Sequence, residues 1–517
     1  MNKMVFKTES NKKAADTVNE AGGKAYSLDA ENALAQLAVT GTFNNTYYAS
    51  AGEQLDKFLE CAEKCRPEFI AKLAVYAKTE SNMKDTPTAL LAWLAGKGHT
   101  ELVKKIFPKI VVNQKMLRNF VQLIRSGKFG RKSFGTSLKN LIKEFLSSKT
   151  GDELFSGAVG NNPSLADIVK MIHPTPESKT KEAFYGWLLG NKEVKKRNLP
   201  AQIKLFEKFK AGDTSEIPNV DFRVLTGLEL SNEQWKAIAV NMPWNALRMN
   251  INTLARHNVF DDIHLVNVIS EKLASENAVK YSKVFPYQLF TTFQNLEPNI
   301  HMAIKLAVQK AAEYATYNIP DFAKDLVVCV DTSGSMESAI TGERKGSTSK
   351  TTCVEVAALF ASSVLRRNGA RTTILPFDTS VKHVVLNPLD SLMTNAQKLA
   401  LHGGGTDCSC ALRHLNLNST KADLVIFISD NESWMNSGRL SYGKSTQMQR
   451  EWDVFKKNNP KAKLVCIDIQ PYTTTQVLGN KDVLNIGGWS DSVFKVIDNF
   501  VNNDSRDFAK IIRDVSI

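Results

Sequence analysis

The sequence is poor in cysteine and contains no long apolar run. Its seven cysteines are scattered through 517 residues and show no paired spacing of the kind that holds zinc. This usage excludes a disulfide framework and fits a reducing compartment. No window approaches the roughly 20 apolar residues of a membrane span, and the first residues are polar where a secretory signal is apolar. These absences predict a cytoplasmic protein with no membrane association.

Catalytic signatures are also missing. We find no HExxH zinc motif, no G-x-S-x-G nucleophile elbow and no Walker A loop. The sequence therefore predicts a protein that is not an enzyme. A magnesium-dependent hydrolase stays open as an alternative, since a metal ion with serine ligands can activate water.

Positive charge is concentrated in one part of the chain. The formal net charge is +13, from 66 Lys and Arg against 53 Asp and Glu. Residues 101–200 hold 19 basic and 8 acidic residues, a net +11, whereas residues 321–517 hold 23 and 21, a net +2. A concentrated positive field indicates a polyanionic partner, although solvated helix faces without a partner give the same composition.

The apolar pattern changes near residue 320. From about residue 28 to 315, apolar residues recur every three or four positions, which predicts medium-length amphipathic helices. The turns between them are short, so we expect stacked antiparallel pairs in an all-α, HEAT-like array. After Pro320, short β-branched runs alternate with helical stretches. That alternation predicts an α/β half with a doubly wound parallel sheet.

Polar residues cluster where the predicted strands end. Asp331, Ser333 and Ser335 follow the first strand, Thr406 follows three glycines, and Asp430 follows a later strand. The carboxyl ends of parallel strands meet at one edge of a sheet, so these oxygens should converge there. Carboxylates and hydroxyls suit Mg²⁺ or another divalent cation. A loop whose hydroxyls only cap the next helix is the alternative interpretation.

The most basic stretch supplies candidate contacts to phosphate. Its cations fall at helical or near-helical spacing, so several should share a face. They are Arg125, Lys128, Arg131, Lys132, Lys139 and Lys143. A solvated helix face is the alternative for each of them.

Both halves of the chain resemble known modules. The Asp-x-Ser-x-Ser loop, GGGT at 403–406 and Asp430 resemble the metal-ion-dependent adhesion site of a von Willebrand factor A domain. In that family the serines and the threonine bind the metal directly, and the aspartates bind it directly or through water. The long polar segment 336–352 departs from the family pattern.

The helical half resembles the TROVE module. The matching segments are NEAGG (19–23), GTFNNTYY (41–48), AVYAKTESNMKDTPTALLAWLA (74–95) and FGRKSFGTSLKNLIKEF (129–145). The second half contains GGTDCS (404–409) and SDNES (429–433), which resemble segments of the von Willebrand factor A domains that accompany TROVE modules. Over roughly residues 20–515, the chain therefore resembles the Ro ribonucleoprotein family, which includes the SS-A/Ro autoantigen and bacterial relatives.

The resemblance implies an organisation and a function. It implies a polar leader at 1–18, a ring of TROVE helices at 19–320 and a von Willebrand factor A domain at 321–517. Y-like small noncoding RNA would bind a basic outer surface, and single-stranded 3′ ends of misfolded RNA would enter a central hole. The protein would then act in RNA quality control or as a scaffold for an exoribonuclease. His173 matches a family histidine near the Y RNA surface, although a lone histidine is often structural.

The resemblance also implies partners. They are polynucleotide phosphorylase, tethered through RNA, and an acidic protein ligand that completes the metal coordination. We expect the protein itself to be a monomer. A metal-dependent von Willebrand-type interaction module with incidental basic charge is the alternative function.

Overall fold

A computed structural model describes most of the chain. The described residues are 14–19, 21–39, 43, 50–81, 83–158, 162–322, 324–340, 351–401, 403–430, 445–470, 474–488, 493–502 and 508–517. Most of the 41–48 motif and residues 341–350 of the unusual polar segment lie outside this part.

Short helices dominate the chain before residue 320. Two short strands, β1 (Thr17–Val18) and β2 (Lys24–Ser27), precede them. The helices are α1 (Ala30–Val39), α2 (Ala51–Glu63), α3 (Pro67–Thr79), α4 (Asp85–Gly96), α5 (Thr100–Ile110), α6 (Gln114–Arg125), α7 (Thr136–Ser147), α8 (Gly151–Ser156), α9 (Leu165–Ile172), α10 (Lys179–Leu188), α11 (Ala201–Ala211), α12 (Phe222–Leu225), α13 (Asn232–Asn241), α14 (Trp244–Met249), α15 (Ile251–Arg256), α16 (Ile263–Leu273), α17 (Glu276–Ser282), α18 (Pro286–Gln294) and α19 (Met302–Ala315).

Local signals set many of these helix starts. Ser50 and Thr150 cap α2 and α8, each in a reciprocal pair with the glutamate three residues later. The Asn113 side chain accepts the N–H of Met116 at 3.0 Å and starts α6. No helix of the described residues is both long and apolar enough to cross a membrane.

Strands and helices alternate after residue 320. The strands are β3 (Leu326–Asp331), β4 (Thr372–Phe377), β5 (Leu424–Ser429), β6 (Lys463–Asp468), β7 (Thr474–Thr475) and β8 (Val483–Gly487). The helices are α20 (Cys353–Asn368), α21 (Leu392–Leu399), α22 (Ser409–Leu417), α23 (Gln447–Asn458), α24 (Val493–Asn502) and α25 (Phe508–Arg513).

Five of these strands form one parallel sheet in the order β4-β3-β5-β6-β8. Every residue of β3 and β5 is buried, as expected for central strands covered on both faces. Phe377 and Phe427 pack edge to face in the core, with ring centroids 5.7 Å apart. A second, antiparallel sheet has the order β1-β2-β7.

The chain divides into two compact units that interleave along the sequence. The first comprises residues up to Lys64, Phe285–Thr291 and Ala315–Ile511, and the second comprises Cys65–Val284, Thr292–Tyr314 and Ile512–Ile517. The early residues join the first unit because β2 pairs with β7, and α1 packs against β8. The compact units therefore do not divide at a single boundary after residue 320. The division of the chain into two modules at that boundary stays a prediction.

Candidate metal centre and nucleic-acid interface

The candidate metal centre is built on the carboxyl end of β3. This strand pairs in parallel with β4 on one side and β5 on the other, and it ends at Asp331. The carboxylate of Asp331 is fully buried. Its Oδ1 accepts the N–H of Ser333 at 2.8 Å, and its Oδ2 accepts the hydroxyl of Ser429 at 2.5 Å. The hydroxyl oxygens of Ser333 and Ser335 are 3.4 Å apart. The structure thus brings three of the five predicted ligands together.

The glycine loop brings Thr406 towards the same edge. The N–H of Gly334 donates to the Gly404 carbonyl at 3.0 Å, which ties the loop to the end of β3. A Cβ at Gly403 would lie 2.3 Å from the carbonyl oxygen of Thr332. Only glycine therefore permits this approach. Thr406 is buried in the loop that results.

Two buried carboxylates, those of Asp331 and Asp430, interact electrostatically at this centre. Burial and the negative charge of Asp430 together raise the pKa of Asp331 to about 7, and the hydrogen bonds from Ser429 and Ser333 oppose this rise. Asp430 is also buried, directly after β5. A bound divalent cation would relieve this repulsion.

The donor set fits a hard cation. No three His, Cys, Asp or Glu side chains are grouped as metal ligands in the described part of the chain, so this centre depends on hydroxyls. Two carboxylates and three hydroxyls match the oxygen preference of Mg²⁺. Ser429 was not predicted from the sequence. The only signal for it is a hydroxyl at the end of an otherwise apolar strand.

The predicted RNA contacts lie at the end of α6, in the connection 126–135 and on α7. Arg125, Lys128 and Lys132 are exposed, and Lys139 and Lys143 are partly exposed one helical turn apart. These five side chains present positive charge at a protein surface.

Arg131 also makes hydrogen bonds within the protein. Its Nη1 donates to the Ala95 carbonyl at 3.2 Å, and its Nε donates to the Ser133 carbonyl at 2.9 Å. A Cβ at Gly96 would lie 1.6 Å from the carbonyl oxygen of Phe129. The connection 126–135, called the basic connection below, is therefore held against the end of α4. Arg131 is one of the residues that hold it.

His173 ends α9 in the left-handed conformation, with φ of 52°. Its N–H donates to the Val169 carbonyl at 2.9 Å, and its ring is exposed. Helix α9 packs against both α6 and α7. Hydrogen bonds from Ser164 lower the pKa of Asp167 in α9. The positive charge of Arg125, at the end of α6, lowers the same pKa further. His173 thus belongs to the same group of helices as the basic connection.

Comparison with known proteins agrees with this architecture. The model of the Ro60 vWA domain matches residues 325–501. The RNA-binding protein RO60 of Caenorhabditis elegans is 24% identical over 284 residues, which cover 51% of this chain and 40% of that relative's length. The chain is therefore similar to Ro proteins in its von Willebrand factor A domain and over about half of its length.

A solved Ro-family structure has the same fold. The crystal structure of the Deinococcus radiodurans RO (RSR) protein aligns with a TM-score of 0.63 and 17% identity, over 92% of this chain and 100% of that one. The prediction of a helical part followed by an α/β von Willebrand factor A domain is therefore confirmed. The predicted metal ligands and RNA contacts stay predictions.

Proposed function

We propose that this chain is an RNA-binding ribonucleoprotein of the Ro type and that the connection between α6 and α7 is a principal RNA contact. The observation that carries this proposal is the charge of that segment. Residues 125–143 contain six cations and no carboxylate. Five of the six present their charge at the surface, while Arg131 and the close contact at Gly96 fix the segment in place. A positive surface that is already ordered binds phosphate with a smaller entropic cost.

The proposed class of RNA rests on the resemblance to Ro proteins. We assign Y-like small noncoding RNA to the basic connection and to His173, whose exposed ring lies on a helix packed against α6 and α7. Single-stranded 3′ ends of misfolded RNA are the second proposed ligand. Quality control of noncoding RNA, or scaffolding of polynucleotide phosphorylase through RNA, is the proposed role. Cytoplasmic location and a monomeric state are part of the same proposal.

The metal centre supports a second binding function. Asp331, Ser333, Ser335, Thr406 and Asp430 would hold Mg²⁺, and the bound ion would offer a Lewis-acidic position to the carboxylate of an acidic protein ligand. We propose binding without catalysis. A ribonuclease assay with Mg²⁺ tests the alternative of a hydrolase, because turnover that disappears in Asp331→Asn would favour an enzyme.

Replacing Lys128, Lys132 and Lys139 together by glutamine tests the RNA surface. Each lost phosphate contact lowers the slope of log affinity against log salt by about 0.7 to 0.9. We therefore expect the triple variant to bind structured small RNA more weakly, with a slope smaller by about 2.1 to 2.7. Filter binding between 50 and 200 mM salt measures both quantities.

The matched control removes three exposed lysines from the other compact unit, Lys457, Lys461 and Lys481. It makes the same change in net charge and should leave the slope nearly unaltered. An equal loss in both variants would show that only total charge matters, and the proposed surface would then be wrong.

A further inference from the structure

An open groove lies within the second compact unit. It is bordered by α8, the start of α11 and the residues that lead into α6 and α12, and it has a volume of about 470 Å³. That volume is within the range of small-ligand sites. Gly157 shapes one wall, because a Cβ there would lie 2.1 Å from Oε1 of Gln114. The Gln114 amide instead lies against α8, where Nε2 donates to the Glu153 carbonyl at 2.9 Å.

The polar lining of the groove is held in position by backbone contacts. The N–H of Gln202 donates to Oδ1 of Asp152 at 3.1 Å, and the side-chain oxygen of Gln202 accepts the N–H of Asn219 at 2.8 Å. Among the described residues, Oδ2 of Asp152 and Nε2 of Gln202 are left to bind a ligand. Lys149 lines the same groove. The groove therefore offers a fixed carboxylate acceptor together with amide and ammonium donors.

This combination matches one nucleobase better than the others. The Watson–Crick edge of guanine carries two adjacent N–H donors beside the O6 acceptor. A carboxylate can accept from both donors, and lysine is a common partner of O6. Uracil has a single N–H between two carbonyls, and adenine has an acceptor where guanine has its ring N–H.

Near α12, cations lie beside the groove, whose own lining includes the carboxylates of Asp152, Glu153 and Asp221. Asp221 lines the groove and is paired with Arg223, with Nη2 and Oδ2 2.6 Å apart. Burial lowers the pKa of Lys115, the charges of Lys84, Arg118 and Arg223 lower it further, and the charge of Asp85 opposes them. These cations are therefore close enough to repel one another, a cost that bound phosphate would offset.

We propose that the groove binds an unpaired guanine nucleotide, with Asp152 accepting from the guanine edge, Lys149 and Gln202 donating to it, and the cations near Arg223 holding adjacent phosphates. The ligand is a guanine within an RNA strand, so this inference rests on the proposed RNA-binding function. Single-stranded RNA recognition generally uses the exposed Watson–Crick edges of splayed bases.

The test compares unstructured ten-nucleotide oligouridylates that carry one central guanine, inosine or adenine, using fluorescence anisotropy with the full-length chain. We expect the guanine oligonucleotide to bind about tenfold more tightly than the adenine one, with inosine between them because it lacks the exocyclic amine. GMP serves as competitor. Weak competition by GMP supports recognition of guanine within an RNA strand. If GMP competes as well as the oligonucleotide, the groove binds guanine, but the proposal that its ligand is part of an RNA strand is wrong.

Two variants connect the preference to the groove. Asp152→Asn keeps an oxygen for the Gln202 N–H but offers one acceptor fewer, so the preference for guanine over adenine should disappear. Lys149→Met removes a side-chain donor and should reduce the same preference. The control Asp213→Asn changes an exposed carboxylate just beyond α11 and should retain the full preference.

The outcomes separate this inference from the general function. Equal binding of the guanine and adenine oligonucleotides by a wild-type chain that still binds structured RNA would overturn the groove assignment alone. A guanine preference that persists in both Asp152→Asn and Lys149→Met would overturn it as well. Failure of the wild-type chain to bind any RNA would overturn the proposed function itself.

Discussion

At the scale of single residues, the sequence shows which side chains carry charge but not which of them already have partners. Arg131, which stays a predicted phosphate contact, also donates through its guanidinium to the Ala95 carbonyl. Lys181 is similar: it is buried, and its Nζ donates to the carbonyls of Leu146, at 2.7 Å, and Lys149. These partners are 36 and more than 30 residues away along the chain. Spacing within a helix cannot reveal such contacts.

Lys181→Met should destabilise the protein by about 1–3 kcal/mol. The change leaves two carbonyls at the end of α7 without their donor and removes a cation that interacts favourably with the helix C-terminus. Lys179→Met, on the exposed side of the same helix, is the control and should cost less than about 0.5 kcal/mol. Urea titration followed by circular dichroism measures both. Similar losses would show that the buried ammonium adds no stability.

At the scale of helices and strands, periodicity identified the type of element better than its limits. Residues 100–127 have a continuous helical apolar pattern, yet they form two helices, α5 and α6, because Asn113 caps the second. The stretch 58–80 likewise divides at Lys64 and Arg66, and α3 begins with Pro67. Both breaks carry ordinary capping signals, which the continuous apolar pattern concealed. In the sequence, only Gly96 marks the close contact between the end of α4 and the basic connection, and a single glycine does not identify its partner.

Gly96→Ala should displace the basic connection. The added Cβ would lie 1.6 Å from the Phe129 carbonyl oxygen, so the backbone must move, and overpacking of this kind typically costs about 1–3 kcal/mol. We expect a lower thermal midpoint and weaker binding of structured RNA. Gly52→Ala is the matched control, since its Cβ meets only Ser50 Oγ at 3.8 Å and alanine favours a helix. Unchanged RNA affinity in Gly96→Ala would separate the connection from RNA binding.

At the scale of the whole molecule, the order of strands and helices was enough to predict the parallel sheet and to place Asp331, Thr406 and Asp430 at loops beside it. The pairing of β2 with β7 was not predictable. It joins Tyr26 to Thr475 through strands of four and two residues, which are too short to give a periodic signal. The described residues from 21 to Lys64, which the sequence assigned to the helical module, therefore belong to the compact unit that contains the parallel sheet.

The metal centre should make the stability of the whole chain depend on Mg²⁺. Binding to the folded state alone stabilises it by about 2.7 kcal/mol at a concentration one hundred times the dissociation constant. Without Mg²⁺, the free energy of unfolding should fall as pH rises from about 4 through 7. Asp331 loses its proton near pH 4 in the unfolded chain but only near pH 7 in the folded chain, because its folded-state pKa is raised to about 7. Asp331→Asn should flatten this pH dependence and abolish the response to Mg²⁺ in differential scanning calorimetry.

Asp423→Asn is the control for this prediction, because Asp423 lies exposed at the opposite end of β5 and should leave the Mg²⁺ response intact. RNA affinity should survive Asp331→Asn, since the proposed RNA contacts belong to the other compact unit. If Asp331→Asn remains folded but no longer binds structured RNA, then the two functions are not separable, and the metal centre must act in RNA binding itself.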